Sequence, residues 1–159
     1  MLAAPDRPLP PPLSAPGLTT LVVYLRPTPR PSLVGPLAEL GLFVHEVTAD
    51  HLAGLLACEG TPPDFVTVVG HSCEADLDAV RDLSRRLTPA VLAIWPDNDD
   101  PEPVHAAGAM AVLTDTECAT RLAVRVGAVA RVARGLRDAR ERTRPDADLQ
   151  PVGDPAEVP

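Results

Sequence analysis

Five short apolar runs, each followed by a stretch with helical periodicity, constrain this chain more than any other feature. The runs fall at residues 21–25, 42–47, 64–69, 90–95 and 110–113. A run without polar alternation suits a strand covered on both faces. Between them, Ser32 is expected to cap a helix with apolar positions Leu33, Leu37 and Leu40, ended by Gly41. Asp50 is expected to cap a short helix through Leu52, Leu55 and Leu56. Ser72 is expected to cap the next, whose face is Leu77, Val80, Leu83 and Leu87. A short helix ends near Gly108. A long last helix begins around Glu117, with Leu122, Val126, Val129, Val132 and Leu136 inward. Strands alternating with helices predict an α/β fold, doubly wound about a five-stranded parallel sheet with helices on both faces. Ligands and chemistry in such a fold sit at the carboxyl ends of the strands.

Residues 1–17 carry six prolines, and residues 145–159 are again rich in Pro and Asp. Both are expected to be disordered tails or linkers around one folded domain at 18–144. All 14 cationic residues are Arg, against 22 acidic residues, for a net charge of −8. That balance gives no general case for nucleic acid binding. The lack of lysine excludes any mechanism that requires one. Cys58, Cys73 and Cys118 are widely spaced, with no C-x-x-C and no even framework, which argues against structural zinc and a disulfide scaffold. Reduced thiols in a cytoplasmic protein are the expectation. The first residues lack a basic segment followed by an apolar run, and no apolar stretch approaches the ~20 residues of a membrane span.

Three segments carry a family resemblance. Pro62-Pro63-Asp64-Phe65-Val66-Thr67-Val68-Val69 looks like the P-D-apolar third strand of response-regulator receiver domains. Ala106-Ala107-Gly108-Ala109-Met110-Ala111-Val112-Leu113 resembles the approach to their fifth strand. Leu37-Ala38-Glu39-Leu40-Gly41-Leu42-Phe43-Val44 is similar to their first helix, glycine and second strand. The resemblance implies a flavodoxin-like (CheY-like) fold with strand order 2-1-3-4-5. It does not carry the family's chemistry with it. Receivers hold Mg²⁺ with an acidic pair after the first strand, where this chain has Arg26-Pro27. They accept phosphate on an Asp ending the third strand, where it has Val69 or Gly70. Ser or Thr follows their fourth strand, where it has Trp95, and Lys follows their fifth, where it has Asp115. Neither a carboxylate nucleophile, nor a metal cage, nor a cation for phosphoryl charge remains. The resemblance is therefore to a degenerate pseudo-receiver of the atypical actinobacterial type, with no enzymatic activity, no cofactor and no metal expected.

Other patterns in the sequence have plainer explanations. Gly70-His71-Ser72 fits the first positions of a G-x-S-x-G elbow, with His105 downstream, but Glu74 replaces the last glycine; a tight turn and a helix cap explain the same residues. Asp50-His51 is a broken D-x-H-x-x-G pattern better read as a helix start. Asp97, Asp99 and Asp100 lack the spacing of a calcium loop. Trp95 either fills the space left by the phosphate site or walls a ligand pocket with Gly70, His71 and Asp115; filling is favoured, since aromatics serve first as bulk. On the last helix, Ala123, Val124, Arg125 and Ala128 form a candidate dimer face by analogy with the family. The expected function is a phosphorylation-independent regulatory module in signal transduction or transcription regulation. Its partner is another protein or a second copy, with nucleic acid reached only through a separate effector domain and no membrane involved. The alternatives are a small-ligand sensor at the strand ends near Trp95 and, last, a serine hydrolase through Ser72.

Overall fold

The computed structural model describes residues 17–25, 32–57 and 62–143. The expected tails (apart from Gly17), Arg26, Pro27 and Cys58 lie outside the described residues. Strands β1 (Thr19–Tyr24), β2 (Phe43–Thr48), β3 (Phe65–Val69), β4 (Val91–Trp95) and β5 (Ala111–Thr114) alternate with helices α1 (Val34–Glu39), α2 (Ala49–Ala57), α3 (Glu74–Arg86), α4 (Glu102–Ala107) and α5 (Asp115–Thr143). All strand pairs are parallel, and the order is β2-β1-β3-β4-β5. This is the flavodoxin-like, CheY-like fold expected from the alternation of runs and helices.

The central strands β3 and β4 are buried at every position, as their unbroken apolar runs require. β2 lies at the sheet's edge and is mostly exposed, with Phe43 open to solvent. Alternation along each strand sorts side chains into two cores. Val22, Phe65 and Ile94 pack with Leu37 of α1 and Val126 and Val129 of α5. Leu21, Val68 and Trp95 pack on the other face with Leu52 of α2, Val80 and Leu83 of α3 and Val104 of α4. The buried hydroxyls of Thr20 and Thr67 satisfy each other at 3.1 Å.

The register places the carboxyl ends together. Tyr24 pairs with Val69, Val69 with Ile94, and Trp95 with Thr114. Leu25, Gly70, Trp95 and Asp115 therefore share one rim of the sheet.

Local details depart from the sequence expectation at several points. The N-cap of α1 is Leu33, with no side-chain cap, and not Ser32, whose hydroxyl donates to Glu46 Oε2 at 2.8 Å. Asp50 is not the cap of α2, because that helix already begins at Ala49. The N-cap of α3 is Cys73 and not Ser72: the Cys73 Sγ accepts the Asp76 N–H at 3.4 Å, while the Ser72 hydroxyl is engaged elsewhere. On α5, Val132 faces solvent and Ala133 is buried. A helical period of 3.6 takes the stripe from Val129 and Ala130 to Ala133 and carries 132 off the core.

Candidate functional site

Gly70 ends β3 with its amide donated to the Ile94 carbonyl at 3.2 Å. Its missing side chain leaves room for two neighbouring side chains. A Cβ there would lie 2.9 Å from Asp76 Oδ2 and 3.0 Å from Leu25 Cδ1. The carboxylate of Asp76, from the first turn of α3, thus reaches back beneath the end of β3. Asp76 is 4 % exposed, and its Oδ2 accepts the His71 backbone N–H at 3.0 Å. A buried carboxylate needs such donors.

The turn that follows is clamped from two sides. Trp95 Nε1 donates to Ser72 Oγ at 2.9 Å, and the Ser72 amide donates to Asp99 Oδ2 at 2.8 Å. Trp95 is fully buried, in the core beneath α3 and α4. Burial of an indole withdraws about 150–250 Å² from water, or roughly 4–6 kcal/mol at ~25 cal/mol per Å². The neighbouring loop is tied onward: Asp97 Oδ1 accepts the Thr116 amide at 3.0 Å, and Asp100 Oδ1 accepts the Glu102 amide at 3.0 Å. The three acidic residues of that loop each serve a different element, α3's turn, α4 or α5. Spacing alone did not show this, because each partner is distant in sequence or belongs to the backbone.

Of the residues expected at a strand-end pocket, Gly70, His71 and Trp95 gather around this clamped turn. Asp115 heads α5 and lines a cavity of about 590 Å³ between α1 and α5, together with Ser32, Leu40 and Cys118. His105 sits on α4 with its Nδ1 3.2 Å from the Ala109 carbonyl oxygen. His51 Nδ1 lies 3.0 Å from the Thr48 hydroxyl. On α5, Val124, Arg125 and Ala128 are exposed, whereas Ala123 turns to the α1–α5 cavity. The candidate dimer face is therefore split.

Two residues missed by sequence reasoning matter here. Asp76 and Cys73 join His71 in a group whose ligand atoms all lie within 4.8 Å of one another. At the far side of the sheet end, Tyr24 donates its hydroxyl to Glu46 Oε2 at 2.6 Å and accepts the Leu33 amide at 3.1 Å. Burial, and then the bond to the Glu46 carboxylate, push the Tyr24 phenol above its ordinary range.

No protein-family model matches the chain, and no curated protein matches it in sequence. Among solved structures it is similar to NtrX from Brucella abortus, determined in complex with ADP, with a TM-score of 0.58 at 20 % identity over 86 % of this chain. The chain spans only 30 % of that protein's length. It is also similar to the pilus assembly protein CpaE from Caulobacter crescentus, with a TM-score of 0.52 at 17 % identity, covering 72 % of this chain and 94 % of that one. Both are receiver-like in fold, and the likeness is one of fold. Among the described residues, no helix is long and apolar enough to cross a membrane.

Proposed function

We propose that this chain is a pseudo-receiver: a regulatory module that works through protein–protein contact, without phosphorylation and without catalysis, in signal transduction or transcription regulation. One observation carries the reading. The positions that would present a phosphoacceptor are Val69 or Gly70: Val69 is an apolar residue buried in the core, and the space beside Gly70 is taken by the Asp76 carboxylate and Leu25. An incoming phosphoryl group would meet a buried anion there, where a receiver offers a metal and a lysine. Trp95 supports the same reading: its indole fills the interior where a receiver keeps a small hydroxyl residue.

The test is exposure of the purified chain to a small phosphodonor such as acetyl phosphate with Mg²⁺, followed by intact-mass spectrometry. No added phosphoryl group is expected. Stoichiometric incorporation at any carboxylate of the sheet end would overturn the proposal.

A further inference from the structure

We propose that His71, Cys73 and Asp76 form a binding site for a thiophilic divalent cation of the Zn²⁺ class, at the turn between β3 and α3. The three side chains offer an imidazole nitrogen, a thiolate sulfur and a carboxylate oxygen, all within 4.8 Å of one another. This is the mixed N, S and O donor set that zinc takes, and it is unsuited to Mg²⁺ or Ca²⁺, which require oxygen ligands. The charges balance: one thiolate and one carboxylate neutralise a divalent ion, with the imidazole neutral.

The three donor atoms are close enough to converge on one ion after a modest adjustment. Ligand atoms at about 2.0–2.3 Å from a shared zinc are about 3.4 Å apart. His71 Nδ1 and Asp76 Oδ2 are already 3.9 Å apart. His71, whose side chain is 40 % exposed, is the more accessible donor of that pair and the freer to turn toward an ion. The other parts are held. Asp76 is kept in place beneath Gly70, where no other residue leaves space for the carboxylate. Ser72, between the two ligands, is fixed by Trp95 and Asp99. Cys73 is the N-cap of α3, which fixes its sulfur at the start of that helix beside Asp76. The partly exposed His71 and Cys73 place the site at the surface, so the fourth position is open to water or to a ligand from a partner protein.

The spacing H-x-C-x-x-D belongs to no standard zinc motif, and the widely separated cysteines gave no signal of it. The site is independent of the pseudo-receiver reading, because metal uptake and phosphoryl incorporation are separate measurements.

Titration of the full chain with Co²⁺ under reducing conditions tests the assignment. One equivalent is expected to bind with a thiolate-to-cobalt charge-transfer absorption, and Zn²⁺ is expected to displace it. Cys73→Ser keeps a good capping oxygen and is expected to abolish the absorption. His71→Ala leaves both the cap and the backbone bond to Asp76 in place, and is expected to weaken uptake by at least about tenfold. Cys58→Ser and Cys118→Ser are expected to change neither. The proposal fails if the wild type shows no thiolate absorption, if that absorption survives Cys73→Ser or depends on Cys58 or Cys118, or if His71→Ala leaves affinity unchanged.

Discussion

Ser72 offers its hydroxyl to the Trp95 indole and its amide to Asp99, so one small residue joins the β3–α3 turn to the loop after β4. Removing the hydroxyl leaves a buried indole N–H without its acceptor, at a cost of about 1–3 kcal/mol. Ser72→Ala is therefore expected to lower stability by that amount in urea unfolding, followed through the emission of the single tryptophan. An unchanged midpoint would mean that the bond contributes nothing. The same residue shows what could be read in advance. A serine between a strand and a helix is expected to cap the helix, because the local sequence does not reveal a tryptophan more than twenty residues away. Gly70 was legible as a turn residue. That it makes room for Asp76 was not, since the carboxylate comes from another element and lies under the turn only once α3 has docked.

Elements were easier to foresee than their ends. β3 and β4 are legible because buried parallel strands have no polar alternation to obscure them, while the exposed edge strand β2 carries His45 and Glu46 and is read from its remaining apolar residues. The start of α5 was placed too late, although the signal was present. Thr114 and Glu117 form a reciprocal capping box, with the Thr114 amide donating to Glu117 Oε1 at 3.1 Å and the Glu117 amide to Thr114 Oγ1 at 3.2 Å. Three elements also meet at Tyr24, the last residue of β1, which bonds to Leu33 ahead of α1 and to Glu46 of β2. Its raised phenol pKa means that the folded state favours the neutral form. The resulting stability is complete below the unfolded value of about 10 and is lost as the pH rises through the higher native value. The chain has no lysine and one tyrosine, so besides its three cysteines few groups titrate near that window. Urea midpoints above about pH 10 are expected to fall more steeply for the wild type than for Tyr24→Phe. Parallel slopes would exclude Tyr24 as the cause.

For the molecule as a whole, the outer side of α5 is the surface best suited to the proposed protein contact. Val124 and Val132 are 57 % and 42 % exposed, and with the exposed Ala128 between them they repeat every fourth residue along one side. A second copy of the chain is the simplest occupant, because two-fold pairing of a helix face is self-complementary. Sedimentation velocity is expected to show concentration-dependent association of the wild type. Val124→Glu combined with Val132→Glu is expected to give a species near 16.7 kDa at all concentrations. A wild type that stays monomeric throughout would rule out self-pairing through this face.

The last of the described helices covers some of the earliest strands. Val126, Val129, Ala130 and Ala133 of α5 form one wall of the core that also holds Val22, Phe65 and Ile94. Arg137 reaches back to the Gly17 carbonyl at 3.4 Å and to Asp64 at 3.6 Å. During synthesis, the part of this face that α1 does not cover stays bare until α5 has emerged. Non-local closure of this kind is slow, and it leaves apolar surface open to wrong partners while it is pending. The newborn chain thus passes through a vulnerable interval whose length is set by the time taken to translate α5, and quality control would have to shelter it for that long.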